Sequence, residues 1–258
     1  MTLIHPSAIV DSRAELAPDV QVGPFSVIGP GVRIGAGTVV GPHVVIDGET
    51  TIGTNNRFHP FAHIGCQPQD KKYAGEPTGL VIGDGNTFFQ SVTLSTGTAQ
   101  DEGITRVGND NWVMAYVHIA HDCQIGSHCI FANNATLAGH VHIGDWVFLG
   151  GFTTIHQFCK VGSHAMSAFT AAISQDVPPY VTAAGNRAVP AGINSEGLRR
   201  RGFSGEQITV IKRAYKTLYR QNLPFDDARA QIEAAAQDAP ELQAFVDFFA
   251  TSTRGLIR

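Results

Sequence analysis

Histidine titrates close to neutrality, so its placement is the first guide to what chemistry a chain can do. This chain of 258 residues carries 11 histidines, and they are unevenly placed. His118 and His121 lie close together, Asp122 follows directly, and His140 and His156 come next. On a solenoid with coils of about 18 residues, positions 121, 139 and 157 stack along one edge. His121, His140 and His156 fall on those positions or one residue from them, with Gly139 in the stack itself. Two chemistries can use such a cluster. Neutral imidazoles bind zinc, leaving a fourth position open in catalytic sites. Alternatively, one imidazole is a general base and its neighbours bind substrate. Asp122 is a ready partner for His121, but neighbours along a strand face opposite ways. The two meet only if a corner intervenes. Taken singly, each histidine also has a plain reading as a surface or turn residue.

The coil length comes from the strongest pattern in the chain. Apolar residues recur at every sixth position from Ile4 through Val10, Leu16, Val22, Ile28 and onward to Ile64. Gly often follows, as in Ile28-Gly29, Ile34-Gly35, Val40-Gly41 and Ile52-Gly53. The rhythm resumes at Ile82, slips by one after Leu94, and runs from Val107 to Ile173 with Ser167 as the exception. Six residues suit a short strand plus a corner, the apolar side chain pointing inward and Gly relieving the bend. Three such edges close a prism whose stacked coils bury one continuous column. The pattern resembles the hexapeptide-repeat family of left-handed parallel β-helices. The handedness is implied by that resemblance, because parallel crossovers are usually right-handed.

Two stretches interrupt the rhythm. Residues 67–80 carry charges and prolines inside a regular solenoid, and insertions on one face of a repeat protein often build its binding site. The phase slip near Thr98–Thr105 reads as a tolerated bulge. After Asp176-Val177-Pro178-Pro179 the repeat stops. Ser204 and Gln207 have capping-box spacing, and Ile208, Ile211, Tyr215, Leu218 and Tyr219 follow at helical intervals. Asp226–Ala236 and Pro240–Thr251 read as two further helices. The expected organisation is an all-β left-handed β-helix over 1–178 and a small α-helical C-terminal domain over 179–258.

Composition narrows the function classes. Charged residues are only 16% of the chain and hydrophobic ones 43%, which argues against disorder. No apolar run reaches the ~18–20 residues of a membrane span, and the N-terminus has no secretory pattern. Cys66, Cys123, Cys129 and Cys159 form no CxxC pair, as expected for free thiols in the cytoplasm. Residues 1–178 hold 7 Lys/Arg against 14 Asp/Glu, whereas residues 179–258 hold 11 against 8. Neither half is basic enough for a nucleic-acid binder. Lys212, Arg213, Lys216 and Arg220 could draw an acidic protein to the C-terminal half, or simply be a solvated helix face.

Several segments make a more specific resemblance. They are Gln69–Thr78, His118-Ile119-Ala120-His121-Asp122-Cys123, Ala132–His140, His156-Gln157-Phe158, Asp176–Val181, Glu196-Gly197-Leu198 and Phe248–Arg258. Together they resemble the UDP-N-acetylglucosamine acyltransferases of lipid A biosynthesis over essentially the whole chain. The resemblance implies a homotrimer, active sites between neighbouring prisms, acyl carrier protein as donor, and no metal or other cofactor. It implies His121 as general base, Asp122 as its orienting carboxylate, and the Gly139 N–H as oxyanion donor. It also implies that Gln69, Asp70, Lys72, His118, His140, His156, Gln157, Asn194, Glu196, Arg200 and Arg201 contact substrate. Phe169 takes the place of a residue that floors the acyl groove. A phenyl ring there predicts a medium chain, about ten carbons or fewer, since overpacking is costly; alternatively the ring turns into the core. Relatives commonly carry an arginine in place of Thr96 in Ser95-Thr96-Gly97-Thr98, which leaves open the choice between the sugar and its 3-amino analogue. Two other classes remain: a zinc-dependent, carbonic anhydrase-like enzyme using His118, His121 and His140, and a trimeric scaffold without activity.

Overall fold

The computed structural model describes residues 3–258. Strands of mostly two residues, from Leu3–Ile4 to Ala172–Ile173, stack into three parallel sheets that form the walls of a prism. The fold is a left-handed parallel β-helix followed by a few helices. Sheet partners follow the hexapeptide arithmetic, as in His118↔Thr136, Thr136↔Thr154 and Thr154↔Ala172. Ile28, Ile46, Ile64, Leu94, Ile119 and Leu137 line the inner face of one sheet and are fully buried. Where the rhythm breaks at Ser167, its hydroxyl meets that of Thr153 at 2.7 Å, so the buried oxygen is satisfied.

The corners correct one expectation about glycine. The residues with left-handed backbone at the corners are mostly not glycine: Phe25, His43, Phe61, Tyr116, Asp122, His140 and Phe152 all have φ between 56° and 67°. The glycines that follow the strands serve clearance instead. A Cβ on Gly41 would lie 2.7 Å from the Phe58 carbonyl oxygen, and one on Gly35 2.6 Å from that of Gly53. Successive coils approach too closely there for any side chain.

Both interruptions leave the prism at the same corner, between the second and third sheets. One links His63–Cys66 to Gly79–Ile82, and the other links Thr93–Ser95 to Ile104–Val107. The rungs themselves stay in register, Arg57 pairing with Thr87 and Thr87 with Trp112.

The apparent stop at 176–179 falls within the last rung. Val177 bridges to Val161, and Val181–Ala184 pairs in parallel with Met166–Ser167 before an antiparallel return along Val189–Ile193. The prolines turn a corner rather than end the sheet. Helices α1 (Ser195–Arg200), α2 (Gly205–Tyr219), α3 (Phe225–Ala235) and α4 (Gln243–Thr251) follow. The Ser204–Gln207 capping box closes in both directions at the start of α2. Pro240–Leu242 forms a 3-10 turn leading into α4. Buried Asp176 anchors the tail, accepting from the Ser252 hydroxyl at 2.7 Å and from the Thr253 and Arg254 amides. No helix among the described residues is long and apolar enough to cross a membrane.

Candidate active site

The corner that follows Ile119 gathers the chemistry. Asp122 adopts φ 59°, which turns the chain sharply enough for adjacent residues to face each other. His121 Nδ1 and Asp122 Oδ2 are 2.9 Å apart. Asp122 is buried, and its other bonds are made: Oδ1 accepts from the Thr98 amide at 2.9 Å, and Oδ2 from the Thr98 hydroxyl at 2.6 Å. Its own amide donates to Thr105 Oγ1 at 2.8 Å. Burial raises the Asp122 pKa, but hydrogen bonds from His121 and Thr98 outweigh it, holding the carboxyl below its ordinary range. The carboxylate is therefore ionised and fixes the His121 ring with Nε2 as its remaining nitrogen.

One rung further, Gly139 lies against the His121 ring. A Cβ there would stand 2.7 Å from His121 Nε2 and 3.0 Å from Nδ1, so glycine is what leaves the imidazole its place. His140 follows, its ring edge-on to His121 with centroids 5.0 Å apart and stacked on Phe158 at 4.4 Å. His140 Nδ1 meets Asp101 Oδ2 at 2.7 Å. His118 borders the cluster with Nδ1 bonded to Thr93 Oγ1 at 2.7 Å; burial, then the nearby His121, lowers its pKa and favours the neutral ring.

Other candidates at this corner stand apart from that cluster. Gln69 and Lys72 are exposed on the first loop, where Asp70 Oδ1 caps the Lys72 amide at 2.9 Å. His156 and Gln157 are exposed one rung on, and Arg254 Nη2 from the tail approaches His156 Nδ1 at 3.1 Å. A second constellation occupies the corner between the third and first sheets. There Arg201 lies 5.4 Å over Trp146 and donates to His164 Nδ1 at 3.2 Å. Asn194 is buried, donating to the His164 carbonyl and capping α1 at Gly197, so its side chain is already engaged. Glu196 pairs with Arg199 and Arg200. Phe169 is on the remaining corner, 66% exposed and edge-on to Phe152; it does not turn into the core.

Sequence reasoning missed Thr98, Asp101 and Thr105. The stretch read as a bulge instead supplies partners to both central residues of the cluster. The available signal was its position, since the slip falls directly before the rung that carries His121. The zinc reading is also corrected in its ligands. Among the described residues the atoms that converge within 4.8 Å belong to His121, Asp122 and His140, not His118. Both oxygens of Asp122 already accept hydrogen bonds, and Nδ1 of each ring faces a carboxylate, which leaves Nε2 of His121 as the nitrogen able to take up a proton.

Fold and site together define a hexapeptide-repeat acyltransferase, and comparison with known proteins sharpens that class. A family model described as bacterial transferase hexapeptide matches residues 13–48 and 104–139. One described as UDP-N-acetylglucosamine O-acyltransferase, domain 2, matches residues 176–257. The chain is 66% identical to the acyl-[acyl-carrier-protein]–UDP-N-acetylglucosamine O-acyltransferase of Herminiimonas arsenicoxydans, and 64% to that of Janthinobacterium sp. (strain Marseille), covering all of each chain. The solved UDP-N-acetylglucosamine O-acyltransferase of Moraxella catarrhalis superposes with a TM-score of 0.98 at 43% identity, over 99% of this chain and 100% of that one. The chain belongs to the acyl-[acyl-carrier-protein]–UDP-N-acetylglucosamine O-acyltransferase family.

Proposed function

We propose that this protein transfers an R-3-hydroxyacyl chain from acyl carrier protein to the 3-hydroxyl of UDP-N-acetylglucosamine, in lipid A biosynthesis. The observation that carries the mechanism is the His121–Asp122 contact at 2.9 Å with Gly139 close against the His121 ring. Nε2 of His121 takes the proton as the sugar oxygen attacks the thioester carbonyl. The Gly139 N–H donates to the oxyanion that forms, a contribution often worth about 10²–10³ in rate. Collapse breaks the C–S bond, forms the ester, and returns the proton to the departing thiolate. Base and electrophile act in one ternary complex, so none of the four free cysteines is required as a nucleophile.

The placement of the other candidates supports a homotrimer. His121, Arg201 and Phe169 stand on three different corners of one prism, so a single copy cannot present them to one substrate. A cleft shared between neighbouring copies brings different corners together. Gln69, Asp70, Lys72, His118, His140, His156 and Gln157 then line the sugar and donor side, and Glu196, Arg200 and Arg201 the nucleotide side. A guanidinium fork matches diphosphate oxygens. Asn194 acts there as the cap that fixes α1. Exposed Lys212, Arg213 and Lys216 offer a surface to the acidic carrier protein. Free thiols and a carrier-bound donor fit a cytoplasmic enzyme.

The test is product identification by mass, using purified protein and a panel of 3-hydroxyacyl carrier proteins. UDP-N-acetylglucosamine and its 3-amino analogue are offered in parallel. A mono-acylated UDP-N-acetylglucosamine supports the reading. Product from the amino sugar alone would assign the Ser95-Thr96 change to acceptor choice, and stoichiometric zinc with no product from either would overturn the assignment.

A further inference from the structure

The geometry points to Asp101 as a positioning residue that reserves the Asp122 carboxylate for His121. The inference rests on His121 being the base. Asp122 Oδ2 has two histidines within reach: His121 Nδ1 at 2.9 Å and His140 Nδ1 at 3.8 Å. Both rings compete for one oxygen, and only one of those contacts serves the base. Asp101 resolves the competition, because its Oδ2 sits 2.7 Å from His140 Nδ1 and takes that N–H instead.

The surroundings explain why the arrangement is specific. Thr98 and Asp101 come from the same short excursion, whose Asp101 amide bonds back to the Thr98 carbonyl at 3.3 Å. Thr98 locks Asp122 from one side while Asp101 draws His140 from the other, so the excursion sets both pairs at once. Phe158 stacks on His140 at 4.4 Å, in a position from which Nδ1 is already 3.8 Å from Asp122 Oδ2. Without Asp101, the nearest carboxylate for His140 Nδ1–H is Asp122. Rotation toward it weakens the bond that orients His121. Asp101 is itself half-open to solvent, its side chain 42% exposed, so it touches the chemistry only through His140. Of the other charged groups nearby, Glu102 pairs with Arg106 at 3.4 Å, and His142 feels Asp101 only after burial and Lys160, which together lower its pKa.

The experiment measures kcat and KM for Asp101→Ala, Asp101→Asn and Asp101→Glu beside the full-length wild-type enzyme. A hydrogen bond to a charged group carries about a ten- to hundredfold effect. Asp101→Ala should therefore lower kcat by about that factor, a larger change than any in KM, with the melting temperature preserved. Asp101→Asn, which keeps an acceptor oxygen and the shape of the loop, should lose less. Asp101→Glu has room to restore the contact and should recover most of kcat. In a His140→Ala background, Asp101→Ala should cost less than about twofold further, because the competitor is gone. Wild-type kcat in Asp101→Ala, no recovery with Glu, or the full loss repeated without His140 would each overturn the inference. Failure of the base assignment reads differently: His121→Ala would then keep its rate whatever stands at 101.

Discussion

His121 and Asp122 are neighbours in sequence whose side chains nevertheless meet at 2.9 Å, because Asp122 occupies the left-handed region of backbone space. In an extended strand the two would point to opposite faces. The coil corner is what converts adjacent residues into a base and its orienting carboxylate. Thr98 then completes the carboxylate with two further donors.

That satisfied carboxylate has a consequence for acid stability. Its folded pKa lies below the ordinary 3.8, so the folded state holds fewer protons than the unfolded chain near that pH. The stabilisation is present above 3.8 and is lost as pH falls through the lower folded value. Asp122→Asn should flatten the dependence of melting temperature on pH below about 4. An unchanged acid limb in that variant would contradict the assignment.

A second pH effect belongs to His164. Burial, then the charge of Arg201, lowers its pKa to about 4 from 6.5, and Arg201 donates to its unprotonated Nδ1. The unfolded chain protonates first on acidification. Stability should therefore decline as pH falls from 6.5 toward 4 and level off below. His164→Phe keeps the stack with Tyr180, whose ring lies 5.6 Å away, and should make that slope shallower, leaving the share of His118 and His142. Thermal melts of both proteins across this range decide it.

Gly139→Ala tests clearance at the base. The residue does not need a left-handed backbone, so the fold should survive and the melting temperature change little. The new methyl would occupy space 2.7 Å from His121 Nε2. Displacing a catalytic group by about an ångström costs on the order of 10²-fold, and kcat should fall accordingly. A near-normal rate would mean that the ring moves without consequence.

Phe169 is predicted to set the acyl length from the neighbouring copy's side of the cleft. Phe169→Gly should shift the preferred donor to a longer chain while leaving the reaction and the acceptor unchanged. The same length preference in both proteins would remove Phe169 from that role.

The rungs were legible because the inward position is apolar in almost every coil, Ser167 excepted, a constraint that writes itself into the sequence at period six. His121, Asp122 and Gly139 were legible through coil arithmetic and the family's own motifs. Thr98 and Asp101 were not, because a loop that leaves the period carries no pattern of its own. The antiparallel return at Val189–Ile193 was hidden for the same reason: Gly192 and Pro190 give it no alternation. The role of the glycines was misjudged because sequence shows where glycine occurs, but not whether φ or close packing requires it.

The most direct test of the account is the pH profile of kcat/KM for acyl transfer, measured for the wild type and for His121→Ala. A general base contributes typically about 10²–10⁴ in rate. His121→Ala should lose that much, with the ascending limb of the wild-type profile absent from the variant. A variant that retains both the rate and the limb would contradict His121 as the base.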